Sequence, residues 1–232
     1  MEELVHHRDL HGGAVRAGIF GASDGLVTNV SLILGVAGAH PASSIVRLAG
    51  VAGMIAGAFS MAAGEYVSMK AQTELLEREL EVERKELKLY PEGEKKELAN
   101  IYESRGVEPR LASELAHAMM KDEKMALEVH AREELGIDPY NLGSPLKAAT
   151  ASLFAFIVGA FIPLIPWLVI QGNGAILASI GLGFISSATI GVSLARFTGR
   201  SMVKSAFRQI CVAALAAGVT YGVGSLVGVG TS

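Results

Sequence analysis

Between two groups of apolar segments lies a stretch, residues 70–144, that is dense in carboxylates. On a helical wheel at about 100° per residue, Glu79, Glu83 and Glu86 share one face with Leu75, Leu76, Leu80, Val82 and Leu87. Arg84, Lys85 and Lys88 fall on the opposite face. Soluble amphipathic helices place their acids on the wet side, beside the lysines. An acid pointing into a packed face must be paired or must hold a cation, and no lysine shares this face. The pattern recurs downstream. Glu94 and Glu97 lie beside Leu98 and Ile101, and Glu123, His130 and Glu134 align with Met119, Met120 and Leu127. Spacings of i, i+3 and i, i+4 bring each set within reach of a shared ion.

Carboxylates alone suit Ca²⁺, Mg²⁺ or Mn²⁺. An imidazole, with or without a thioether, moves the preference toward Fe²⁺, Mn²⁺, Co²⁺ or Zn²⁺. Not every acid of the stretch belongs to this set. Glu74, Glu77 and Glu81 share a face with Arg84, Lys85 and Lys88, and Glu81–Lys85 reads as an ordinary surface pair.

Two further acids sit inside apolar runs, where ionisable groups are costly and functional by default. Asp24 lies in Phe20-Gly21-Ala22-Ser23-Asp24-Gly25-Leu26, followed by Thr28, Asn29 and Ser31. Glu65 lies in Ser60-Met61-Ala62-Ala63-Gly64-Glu65-Tyr66. Met54, Met61, Glu65 and Met69 form one helical stripe, and a carboxylate among thioethers suits a borderline-soft divalent ion. Methionine stripes are more often packing residues, and Glu65 near an interface could merely snorkel.

The elements that must position these groups follow from length and hydropathy. The chain has 232 residues, half of them hydrophobic, with 27 glycines and a net charge of −3; its mean hydropathy is +0.40. This is a membrane composition with one charged insert, and the charge excludes a general nucleic-acid binder. The single cysteine, Cys211, excludes an internal disulfide and a thiolate metal site. Residues 1–11 are polar and no short apolar core with a cleavage site follows, so the first apolar segment is expected to be retained as a span.

The expected fold is all-α: a polytopic membrane protein with five transmembrane helices and a three-helix cytoplasmic insert between the second and third. The spans are expected at residues 14–39, 45–69, 146–170, 174–197 and 202–228. The corresponding domains are 1–69, the metal-binding insert 70–144, and 145–232. Arg8 and Arg16 before the first span, with Arg196, Arg200, Lys204 and Arg208 around the fourth turn, put the N-terminus and the insert in the cytoplasm. Within the insert, the second span runs on to Leu89 and stops at Pro91, a second helix covers 92–104, and a third covers 109–135, ending at Gly136. Pro163 and Pro166 are expected to loosen the third span. Gly53-x-x-x-Gly57 and Gly218-x-x-x-Gly222 would allow close helix contact.

At these residues the sequence resembles the vacuolar iron transporter family. The resemblance covers nearly the whole chain and rests on Ser23-Asp24-Gly25-Leu26, Ser60-Met61-Ala62-Ala63-Gly64-Glu65-Tyr66, Arg132-Glu133-Glu134-Leu135-Gly136 and Phe161-Ile162-Pro163-Leu164-Ile165-Pro166. It implies an Fe²⁺/H⁺ antiporter that moves ferrous iron out of the cytosol as a homodimer, with the pathway near the dimer axis. It also implies an intramembrane metal site at Asp24 and Met61, and insert ligands at Glu83, Glu86, Glu94, Glu97 and Glu134. Glu79, Glu123 and Glu65 come from the wheel and the spans. Where a plant form has two adjacent methionines, this chain has His130-Ala131, so a nitrogen ligand stands in place of a sulfur one.

The expected partners are divalent transition-metal ions, protons and the lipid bilayer, with no nucleic acid. No prosthetic group is expected; Fe²⁺, Mn²⁺ or Zn²⁺ would be bound as substrate or regulatory ion. The host membrane would be the cell membrane of a prokaryote or the vacuolar membrane of a eukaryote. A Mn²⁺ transporter of the same architecture and a membrane-tethered metal buffer or sensor are the rivals. A ferroxidase ranks last, because the paired Glu-x-x-His motifs of a four-helix di-iron site are absent. An enzyme is not expected.

Overall fold

The computed structural model describes residues 13–229. Arg8 and the polar residues 1–11, used above for orientation and for the absence of a leader, lie outside them. The described residues form helices and connecting turns, with no strand among them. In chain order the helices are α1 (Gly13–Gly38), α2 (Ser43–Leu89), α3 (Pro91–Ser104), α4 (Pro109–Met119), α5 (Glu123–Glu133), α6 (Pro145–Phe161), α7 (Ile165–Val169), α8 (Asn173–Thr198) and α9 (Met202–Val229). Five helical stretches are long and apolar enough to cross a bilayer: α1, the apolar part of α2, α6 with α7, α8 and α9. The chain divides into two compact units, one of residues 1–67 and 144–232 and one of residues 68–143.

In the first unit, α1 lies against α6, α8 and α9. Between apolar helices in lipid there is no hydrophobic driving force, so close approach and polar contacts hold them. Glycines supply the approach. A Cβ on Gly21 would stand 2.6 Å from the Ser152 carbonyl of α6, and one on Gly25 or Gly159 would run into the facing backbone. Gly35 and Gly224 make the same close contact between α1 and α9. Gly218 and Gly222 face open space, so the expected contact there is replaced by the Gly35–Gly224 crossing. Polar bonds add to it: Gln209 of α9 donates to the Ser23 hydroxyl, and Thr220 donates to the Ser31 carbonyl at 2.8 Å.

The third span breaks where its prolines predict. Residues Ile162–Leu164 close into a 3₁₀ turn between α6 and α7, because Pro163 brings no N–H to the α-helical ladder.

In the second unit, α3, α4 and α5 pack around Leu98, Ala99 and Ala116, with Tyr102, Met119 and Val129 against them. Small residues dominate the contact, and Ala112, Ala116, Ala126 and Ala131 are all buried. The three-helix expectation needs correction. α2 does run unbroken to Leu89, but the helix expected over 109–135 is two helices, α4 and α5. Asp122 leaves helical geometry and caps α5, its Oδ1 accepting from Met125 N–H at 2.9 Å. Capping a new N-terminus offsets the lost backbone bonds, so the turn at residues 120–122 is tolerated without glycine or proline.

Candidate metal site

The part of α2 in the second unit buries a narrower stripe than the wheel suggests. Thr73, Leu80 and Glu83 are buried, and Leu76, Glu79 and Leu87 are half-buried. Leu75 and Val82 are exposed. The buried line therefore runs 73–76–80–83–87, at alternating three- and four-residue steps, and Glu83 occupies a register that an apolar residue would ordinarily fill. Glu83 is 3% exposed, and its Oε1 has no hydrogen-bond partner.

Two residues of other helices meet it. Glu94 sits in the first turn of α3, just after Pro91, and is also buried. His130 lies in the last turn of α5 and is wholly buried. Glu83, Glu94 and His130 each present one ligand atom, and these atoms all lie within 4.8 Å of one another. Two ligands standing opposite each other across an ion at about 2.1 Å are about 4.2 Å apart. Only one pair of the three can stand so, and a shared coordination sphere requires the other pairs to approach more closely than that. Both ring nitrogens of His130 face acceptors: Nδ1 lies 2.9 Å from the Ala126 carbonyl and Nε2 lies 3.3 Å from the Glu94 carbonyl. A neutral ring protonated on Nδ1 would donate to Ala126 through the shorter contact. Nε2, 3.9 Å from Glu94 Oε2, then holds the lone pair that a metal would take.

The electrostatics are those of charge without a fixed counter-ion. Burial, and then the neighbouring Glu134 carboxylate, push Glu83 up to about 7. Glu94 is raised by burial and then by Glu97, and Glu134 by burial and then by Glu97. The charges acting on Glu83 are those of Glu134, His130, Glu94 and Glu86, and of these only His130 can be cationic. Acids crowded in this way either take up protons or bind a cation.

The other residues singled out from the sequence fall in three places. Glu86, Glu97 and Glu134 are exposed, yet their charges act on the buried pair, so they form a rim. Glu79 is half-buried on α2 and stands outside the three-residue cluster. Glu123 is exposed in the first turn of α5, where its charge suits the helix N-terminus, two turns before His130; the break at residues 120–122 separates both from Met119 and Met120. The pairs Glu81–Lys85 and Glu74–Lys70 are surface salt bridges at 2.9 and 3.3 Å.

In the first unit, Asp24 is exposed on the single chain and accepts from Thr28 Oγ1 at 3.4 Å. Met61 is half-buried against Ala58, Phe156 and Ala160. Glu65 is paired with Arg16 of α1 at 3.5 Å. Arg16 was legible in the sequence only as an orientation signal, and nothing in its spacing announces a partner on the next helix. Arg105 is likewise new: it binds the Glu133 carboxylate and donates to the Glu133 carbonyl at 3.2 Å, tying the end of α3 to the turn of α5 that carries Glu134.

The model of the VIT family matches residues 15–225. The chain is 34% identical over 222 residues to vacuolar iron transporter 1 of Arabidopsis thaliana, covering 94% of this chain and 89% of that one. It is 40% identical over 216 residues to the vacuolar iron transporter of Acanthamoeba castellanii, covering 92% and 78%. It is 32% identical over 228 residues to vacuolar iron transporter 1 of Eucalyptus grandis, covering 97% and 92%.

Proposed function

The chain belongs to the VIT family, and from that premise we propose that it exports Fe²⁺ from the cytosol in exchange for protons. It is a multi-pass membrane metal transporter, not an enzyme. The direction, the counter-ion and the residues are our reading. In it, Glu83, Glu94 and His130 capture the ion, with Glu86, Glu97 and Glu134 attracting it at the rim. Asp24 and Met61 receive it in the membrane, and Glu65 stands at the entrance.

One observation carries the capture step: a buried carboxylate oxygen of Glu83 with no partner, facing a second acid and an imidazole. Glu74, Glu81 and Glu92 each have a lysine beside them; the one base beside Glu83 is the imidazole of His130. Asp24 supports the transport step. It lies within a span on the outer face of the single chain, where hydrocarbon would not accept it. A second copy of the chain around that face would complete the pathway, which favours a homodimer. Protonation of Asp24 would remove the charge that holds the cation, giving a route to proton coupling. The lysines and arginines near the span ends support a cytoplasmic N-terminus and insert.

The donor set of oxygens and one nitrogen fits Fe²⁺ and Mn²⁺ alike. Metal uptake into proteoliposomes under anaerobic conditions, with inside pH followed, tests the reading and names the ion. Fe²⁺ entry with opposite proton flow, lost in Asp24→Asn, is the expected result. A stronger flux for Mn²⁺ would change the cargo. Tight binding with no flux for either ion would make the protein a tethered buffer.

A further inference from the structure

Two backbone carbonyls at the break in the third span accept from side chains of other helices. Asn29 of α1, wholly buried, donates from Nδ2 to the Ala160 carbonyl at 2.6 Å. Ser179 of α8, also wholly buried, donates from Oγ to the Pro163 carbonyl at 2.8 Å. In a continuous α-helix each carbonyl would accept from the N–H four residues on. At Ile162–Leu164 the bonding is 3₁₀, with Ile165 N–H donating to the Ile162 carbonyl, and any carbonyl left over in hydrocarbon must find a donor.

The same turn separates two groups of packed side chains. Before it, Phe156 and Ala160 pack with Ala58 and the half-buried Met61 of α2. From its last residue onward, Leu164 and Trp167 join Ile33, Val46 and Ala175 of α1, α2 and α8. Pro163 sets the break, and two buried polar side chains from other helices mend the carbonyls at its ends. Each repair is a single hydrogen bond from a different neighbour, so either end of the turn can be released without disturbing the other. A break held in this way is a place where the span could bend, as alternating access requires of some element.

We infer that the Ile162–Leu164 turn is the joint about which the third span bends during transport, and that Asn29 and Ser179 are positioning residues holding its two ends. The inference rests on the transport reading above, and it adds residues outside the metal-binding groups. It also gives α1 two tasks: five residues beyond Asp24, the same helix grips the joint through Asn29.

The test compares wild type with Asn29→Leu, Ser179→Ala and Ser179→Thr, the last keeping its hydroxyl donor. Initial Fe²⁺ uptake into proteoliposomes is measured against metal concentration, together with amide exchange over residues 160–168. In the donor-less variants the maximal rate should fall about tenfold or more, the half-saturating concentration should stay within about twofold, and exchange at the turn should quicken. Ser179→Thr should match wild type. Donor-less variants that fold and transport at the wild-type rate would overturn the joint while leaving transport intact. A loss confined to the half-saturating concentration would also overturn it, since that marks a binding defect. A wild type that binds Fe²⁺ but carries none would sink the transport reading, and the joint with it. Should Asn29→Leu fail to fold, the Ser179 pair decides alone.

Discussion

In the membrane unit the only acids among the described residues are Asp24 and Glu65; Glu65 meets the Arg16 guanidinium and Asp24 takes a hydrogen bond from Thr28. In the other unit Glu83 and Glu94 are buried side by side, and the charges around Glu83 are three further acids and one histidine. In the first unit Glu65 has a base beside it and Asp24 only a hydroxyl, whereas in the second several acids crowd one another around a single imidazole. Compensated acids hold a structure together. Acids collected without a base must take up protons or bind a cation, and while charged and empty they cost stability.

The sharpest way to break this contrast is Asp24→Asn. Proton-coupled flux in proteoliposomes should fall to background, while metal titration of the full-length variant should give an unchanged affinity at the Glu83 cluster. Loss of both would mean that the units do not divide the work as described. Glu83→Gln comes next. Its metal affinity, read by calorimetry on the full chain, should fall by about tenfold or more. The metal-free variant should nevertheless melt higher than wild type at pH 8, because a buried uncompensated charge has gone.

A pH series sharpens the same point. The pKa of Glu83 is raised above its ordinary value of 4.5 to about 7. The metal-free protein should therefore lose stability as pH climbs from about 4.5 to about 7 and then level off. Metal binding, which needs the ionised form, should weaken as pH drops through about 7. A melting temperature that rose across that window would contradict the geometry. The smallest effect belongs to Arg16→Ala: the guanidinium is well exposed, so its loss should cost about 0–1 kcal/mol in urea denaturation. A larger loss would mean that Glu65 is structural first.

Much of this was legible in the sequence, for reasons that can be located. The five spans are apolar runs of bilayer length, and the prolines at 163 and 166 mark the broken one. Glu83 stands out on a wheel because its register is otherwise apolar. The division of acids into buried pair and exposed rim does not show there, since the wheel treats a broad face as uniform while the three-four stripe of α2 buries a narrow one. The turn at residues 120–122 is hidden because its one signal, Asp122, is also an unremarkable helix residue. Asn29 and Ser179 could not have been assigned at all: their acceptors lie 131 and 16 residues away in the chain, and only the folded bundle brings them together.

The contact of α1 with α6 also limits how that pair can move. Gly21, Gly25 and Gly159 put main chain against main chain, with no side chains between to act as compliant spacers. Turning α1 about its own axis would drive Ala22 or its neighbours into the facing backbone. Sliding along the groove would likewise bring a Cβ-bearing position onto the backbone that the glycines now face. Of the six degrees of freedom of a rigid rod, the crossing restricts rotation and sliding first and leaves tilt about the contact as the motion that keeps the glycines in register.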